Sequence, residues 1–148
     1  ERRYFLLPHG VVTMGSSVTP ATHRLCHTTS DPDQWMAVDL GTGRTIVPVR
    51  YCLRADGQAD GMFKLRNWEL QGSHDAAAWM TLRRHENDTS LNVRFGTNSW
   101  AVDGHGQGYR HFRIFQFGPN SSNRLHLMCL GIELYGIATF TGDGRVRD

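Results

Sequence analysis

Ile46-Val47-Pro48-Val49-Arg50-Tyr51-Cys52-Leu53-Arg54 is the stretch on which the fold turns. Val47, Val49, Tyr51 and Leu53 fall on one side of a period-two alternation, with Arg50, Cys52 and Arg54 on the other. That is the pattern of a half-buried β-strand. Pro48 cannot donate to a ladder, so its presence inside the run predicts an edge position or a bulge. Segments of the same kind recur outward from this one. Residues 34–40 read as a strand ended by Gly41-Thr42-Gly43, and residues 68–72, 79–84 and 109–117 read as further strands. A last strand region covers 125–140, broken at Gly131 or Gly136. Residues 73–78 form a hairpin connection whose alanines have room for one helical turn. No segment of about 12 residues carries a helical apolar stripe, which disfavours a helical enzyme or a nucleotide-binding α/β fold. The expectation is an all-β domain.

Composition narrows the class further. A chain of 148 residues suits one domain. The expected division is a sandwich over 1–140 and a polar tail over 141–148. Hydrophobic residues at 39% and charged residues at 20% exclude a disordered chain or a coiled coil. A formal net charge of +2 argues against a nucleic-acid partner, which calls for a strong basic excess. No apolar run approaches the roughly 18 residues of a membrane span, and Glu1-Arg2-Arg3-Tyr4 has no signal-peptide layout. The missing initiator Met and the polar exit Thr141-Gly142-Asp143-Gly144-Arg145 are expected of a domain cut from a longer chain. Cys26, Cys52 and Cys129 are too scattered for a disulfide scaffold and lack C-x-x-C spacing for zinc, so reduced thiols and an intracellular, cytoplasmic setting are expected. Asn87-Asp88-Thr89 and Asn120-Ser121-Ser122 are read as chance matches to a short glycosylation motif.

Three connections are long and polar: 16–33, 55–66 and 85–108. Loops on a rigid β scaffold are where binding concentrates. Gly104-His105-Gly106-Gln107-Gly108 precedes a strand, whereas a phosphate-binding fingerprint follows one and opens a helix. His23-Arg24-Leu25-Cys26-His27 offers metal-capable side chains but no fourth ligand, so no metal is expected. Ser73-His74-Asp75 contains triad residue types, yet neighbours in an extended chain point to opposite faces. Asp56, Asp60 and Asp75 lack the dense spacing of a calcium loop and read as turn residues. No catalytic residue and no cofactor is indicated. The basic residues are 15 Arg and one Lys, Lys64. Arg24, Arg54 and Arg66 sit in or beside the long loops, where a guanidinium fork suits a carboxylate or phosphate. Arg110 and Arg113 project to opposite faces of one strand, and one of them is expected to pair with a buried carboxylate such as Asp39.

Four segments then resemble one family in order. They are Trp35-Met36-Ala37-Val38-Asp39-Leu40-Gly41; Trp68-Glu69-Leu70-Gln71-Gly72-Ser73-His74-Asp75 with Trp79; Tyr109-Arg110-His111-Phe112-Arg113-Ile114; and Leu130-Gly131-Ile132-Glu133-Leu134-Tyr135-Gly136. Together they resemble discoidin domains, also called coagulation factor V/VIII C-type domains. Leu65-Arg66-Asn67-Trp68, the run from Leu82 to Leu91, and Trp100 are closest to the intracellular branch in HECT-type ubiquitin ligases and BTB proteins. The resemblance implies a jelly-roll, galactose-binding-like β-sandwich of about eight antiparallel strands. It also implies a non-catalytic module that binds glycans, phospholipid headgroups or proteins through loops at one end.

By position, the family's ligand loops fall on 16–33 and 54–66, which makes Arg24, His27, Arg54, Asp56, Asp60, Phe63 and Arg66 the candidate binding residues. Only Met62 and Phe63 are available as apolar loop tips, so membrane docking is disfavoured. No cysteine lies near either end, unlike the disulfide-closed extracellular members. Trp35, Trp68, Trp79 and Trp100 are expected in the core or anchoring loops. The leading expectation is recognition of a protein partner in a ubiquitin-ligase or adaptor setting; the alternative is a carbohydrate-binding module.

Overall fold

The computed structural model describes residues 3–5, 11–14, 30 and 32–140. Among them lie β1 (Arg3–Phe5), β2 (Val11–Met14), β3 (Gln34–Asp39), β4 (Arg44–Arg54), β5 (Trp68–Ser73), β6 (Met80–His85), β7 (Thr97–Ala101), β8 (His111–Gln116) and β9 (Gly131–Phe140). They form a four-stranded sheet, β1-β9-β4-β7, and a five-stranded sheet, β2-β3-β8-β5-β6. Every pairing is antiparallel, and only β2–β3 and β5–β6 join strands that are consecutive in sequence. This is a jelly-roll sandwich with its core between the sheets. Phe112 and Ile114 of β8, Leu70 of β5, Leu53 of β4 and Leu134 of β9 fill that core, each no more than 2% exposed.

The deciding stretch behaves differently from its simple alternation. The β4–β9 register slips between Pro48 and Arg50. Ile46 and Pro48 are therefore buried before the slip and Tyr51 and Leu53 after it, while Val49 is left exposed. The extra residue of a bulge exchanges the faces of the strand. It also lets Pro48 sit in β4, an interior strand between β9 and β7 rather than an edge. Opposite the bulge, a Cβ at Gly136 would lie 1.9 Å from the Val47 carbonyl oxygen, so only glycine fits.

Three further expectations change. The connection over 85–108 contains β7, whose alternation of Asn98 and Trp100 inward with Ser99 outward is short and polar. The hairpin over 74–79 holds no helix. Asp75 Oδ1 instead accepts the backbone N–H groups of Ala77 at 2.9 Å and Ala78 at 3.0 Å. Those bonds from Ala78 and Ala77, with one from Ser73, hold the Asp75 pKa at about 2. The tryptophans divide: Trp68 is fully buried and Trp100 packs against the core, but Trp35 and Trp79 line a 140 Å³ cavity on the outer face of the five-stranded sheet. There Arg113 lies 4.2 Å from the Trp79 ring centroid. Arg110 is the paired arginine: its Nε and Nη2 donate to Asp39 Oδ1 and Oδ2 at 2.7 and 2.9 Å. Asp39 is half-buried rather than buried, and Arg110 first among its partners lowers its pKa to about 2.

A directed chain of hydrogen bonds crosses the core. Trp68 Nε1–H donates to the Tyr51 hydroxyl at 3.0 Å, and that hydroxyl lies 2.5 Å from His85 Nε2. The hydroxyl has one proton, so His85 Nε2 accepts it and Nδ1–H donates to Asp88 Oδ2 at 2.8 Å. The imidazole also stacks on Trp68 at a centroid distance of 4.0 Å. Burial lowers the His85 pKa more than the Asp88 hydrogen bond raises it, so the ring is neutral in the folded state. In the unfolded chain it takes a proton below about pH 6.5. Stability is therefore predicted to be full above that value and to fall as the pH drops below it, measured by denaturant unfolding between pH 7 and 5. Stability that is flat or rising on acidification would contradict a buried neutral imidazole. Tyr51→Phe orphans the Trp68 and His85 nitrogens and is predicted to cost about 1–3 kcal/mol.

Candidate functional site

Three loops close one end of the sandwich: residues 55–67, 86–96 and 117–130. Their backbones are bound to one another. Ala55 N–H donates to the Gly96 carbonyl at 2.7 Å, Phe95 N–H to that of Asp56 at 3.0 Å, and Gly61 N–H to that of Asn92 at 2.8 Å. Ser121 N–H donates to the Lys64 carbonyl at 2.9 Å, while Ser121 Oγ accepts Lys64 N–H at 2.8 Å. Ser30 Oγ accepts Leu125 N–H at 3.2 Å, which brings the chain entering β3 to the same end.

Lys64 organises the first loop. It is 1% exposed, and its Nζ donates to Asp56 Oδ1 at 2.6 Å, the Gln58 carbonyl at 2.9 Å and the Met62 carbonyl at 3.0 Å. A desolvated ammonium needs its three donors satisfied, and these oxygens satisfy them. Asp56, expected as a binding residue, is thus 1% exposed and is spent on the loop's own cation. Sequence separation hid this, because a pair eight residues apart across a loop has no regular period to reveal it.

The other candidates occupy distinct places. Arg24 and His27 lie outside the described residues. Asp60 is exposed and accepts Arg94 N–H at 2.8 Å, tying the first loop to the second. Phe63 is half-buried at φ +55°, edge-on to His126 with centroids 6.1 Å apart. Arg66 is half-buried and its Nη2 donates to Asn92 Oδ1 at 2.6 Å. Arg54 is exposed at the end of β4, its guanidinium 5.3 Å from the Phe95 ring centroid. Arg66 is therefore engaged by a neighbouring loop, whereas among the described residues the Arg54 guanidinium has only the Phe95 ring beside it. Among the described residues, no group of three His, Cys, Asp or Glu side chains is placed to hold a metal ion.

Sequence reasoning passed over Val93-Arg94-Phe95. Val93 is 58% exposed and Phe95 36%, and Arg94 lies 5.1 Å from the Phe95 centroid on its own account. Phe95 also carries φ +55°, a conformation that costs a bulky residue energy and persists only where its surroundings enforce it. An exposed aromatic flanked by two guanidiniums is the chemistry of an interface anchor. Its signal was an apolar–basic–aromatic run inside an otherwise polar connection.

No family model matches the chain. In sequence it is 41% identical over 115 residues to the E3 ubiquitin-protein ligase Ufd4 of Drosophila melanogaster and 42% over 113 residues to the E3 ubiquitin-protein ligase hecd-1 of Caenorhabditis elegans. Each match covers 75% of this chain and 4% of the ligase, so the chain spans a small fraction of these relatives. A BTB/POZ domain-containing protein of Arabidopsis thaliana is 31% identical over 106 residues, 69% of this chain and 13% of that protein. In structure it is similar to an F5/8 type C domain from Bacteroides fragilis, with a TM-score of 0.67 over 91% of this chain and 96% of that one at 12% identity. The chain has the fold of that discoidin-type domain. A second structural neighbour is a CBM32 module from Clostridium perfringens in complex with GalNAc-β-1,3-galactose, with a TM-score of 0.64 at 12% identity, covering 84% and 94%. In sequence the domain is similar to a segment of much larger ligases. Among its described residues no helix is long and apolar enough to cross a membrane.

Lys64→Met leaves the Asp56 carboxylate buried and uncompensated and is predicted to destabilise the domain by about 3–5 kcal/mol. Asp56→Leu combined with Lys64→Met is predicted to cost less than Lys64→Met alone, read from denaturant midpoints in the two variants. A double variant as unstable as the single one would show that the ammonium's carbonyl bonds, not the ion pair, dominate.

Proposed function

We propose that this discoidin-type domain is a recognition module of a larger intracellular protein, docking a protein partner through its loop end in a ubiquitin-ligase or adaptor setting. The observation that carries the reading is the exposed Phe95 between Arg54 and Arg94, in a chain whose sequence relatives include two ubiquitin ligases. Aromatic and arginine side chains dominate the energetics of protein interfaces, because they bury large area with few rotamers to fix. Arg24, His27, Asp60, Phe63 and Arg66 are proposed to border the contact, while Asp56 supports it from below. The domain is proposed to extend over 1–140, with 141–148 as a polar tail.

A carbohydrate-binding reading rests on the C. perfringens neighbour, solved with a GalNAc-containing sugar, and on Phe63, His126 and Asn92 at the same end of this chain. The loop arginines and histidines would then grip hydroxyls. Affinity capture from cells with the 148-residue chain separates the two. Partners recovered by the native chain are predicted to fall by about tenfold or more with Arg54→Ala combined with Phe95→Ala, with the unfolding midpoint unchanged. Retained partners with both substitutions would remove the Phe95 cluster from the interface, and a glycan-array signal without protein capture would favour the sugar.

A further inference from the structure

Arg54 and Phe95 also stand at the mouth of a groove of about 410 Å³ on the outer face of the four-stranded sheet. Its floor is the β4–β9 ladder, where Arg54 pairs with Gly131 and Cys52 with Glu133. Phe95 and Thr97 line it from one side, and Leu130 adds apolar surface from the other. At Gly131 the floor is bare: a Cβ built there would meet no atom within 4 Å.

The charges at the groove are unequal in availability. Glu133 already accepts a hydrogen bond from the Tyr135 hydroxyl. Arg54 forms no ion pair among the described residues and touches Phe95 through its π face alone, so its guanidinium donors are open to an acceptor. Arg94 adds a second cation on the same ring. The groove thus combines apolar walls with an unspent fork for a carboxylate.

We propose that this groove receives an apolar side chain of a partner polypeptide, with a neighbouring carboxylate of the same segment forked by Arg54. The inference rests on the protein-recognition reading above and names the chemistry of the partner. The apolar side chain lies over Gly131 against Leu130 and Phe95. The acidic group sits at the Arg54 end, away from Glu133, and this fixes the direction of the segment.

The test uses the same chain to select from a display library of short random peptides. Selected peptides are expected to carry an apolar residue next to Asp or Glu. Gly131→Leu places a side chain on the floor where a Cβ meets no atom within 4 Å, and Arg54→Gln removes the fork. Each is expected to weaken a selected peptide by about tenfold or more, with the unfolding midpoint unchanged. Changing the peptide's acid to its amide is expected to weaken binding to the native chain and to have little effect on Arg54→Gln. Asp75→Asn, in the β5–β6 hairpin, serves as the control and is expected to change nothing. Selection of peptides without the acidic–apolar pair, binding that survives Gly131→Leu, or a glycan ligand lost on Gly131→Leu would each overturn the assignment. Loss of cellular partners in the Arg54 and Phe95 variant, without any peptide selected here, would sink the groove chemistry and leave protein recognition standing. Cellular partners unaffected by that variant would sink the recognition reading itself.

Discussion

The Tyr51 hydroxyl is where the two sheets are tied by directed polar bonds as well as by packing. Tyr51 belongs to β4 of the four-stranded sheet, and both of its partners, Trp68 and His85, belong to the five-stranded one. Apolar contact alone tolerates sliding, because it scales with area and has little directionality. A buried hydroxyl that must receive one hydrogen bond and give another allows one relative placement of β4, β5 and β6. That placement depends in turn on the bulge at Pro48. Without the extra residue, Ile46 and Pro48 would lie on the face opposite to Tyr51 and Leu53, and one of these two pairs would point to solvent.

The loop end inherits its geometry from this joint. β4, β6 and β8 each stop at the same end, so the three loops that leave them meet there. Lys64 then fixes the first loop around its own ammonium, Asp60 holds the second, and Ser121 holds the third. The edges beside the site are guarded as well. Arg83 of β6 donates to the Ala101 carbonyl of β7 at 3.1 Å, and Asn98 Oδ1 accepts Ser99 N–H at 2.8 Å. These bonds occupy backbone groups at the edge that would otherwise invite another strand. Side chains rather than backbone are therefore what this edge presents, Arg54 and Phe95 among them.

Much of the fold was legible in the order of residues because β-structure writes itself as local alternation. β3, β5, β6 and β8 lie close to the expected segments, and the resemblance to discoidin domains agrees with the sandwich. β7 was missed because only two of its five residues face inward, and their neighbours are polar. The pairing of Arg110 with Asp39 was legible as one of two arginine candidates, although Arg110 lies just before β8 and Arg113 faces the same outer side as Asp39. The fate of Asp56 was not: an acid in a polar loop reads as solvated until the chain folds back and places Lys64 on it.

The amino-acid sequence by itself determined the all-β class, the near-neutral charge and most strand positions. These follow from composition and from a period of two, which need only neighbouring residues. Tertiary structure alone decided which loop charges are spent and which remain. Asp56 and Lys64 neutralise each other in the interior, Arg66 is held by Asn92, and Arg54 stays open above a bare Gly131. Desolvation and hydrogen-bond satisfaction are properties of groups brought together across the fold, so no local pattern encodes them.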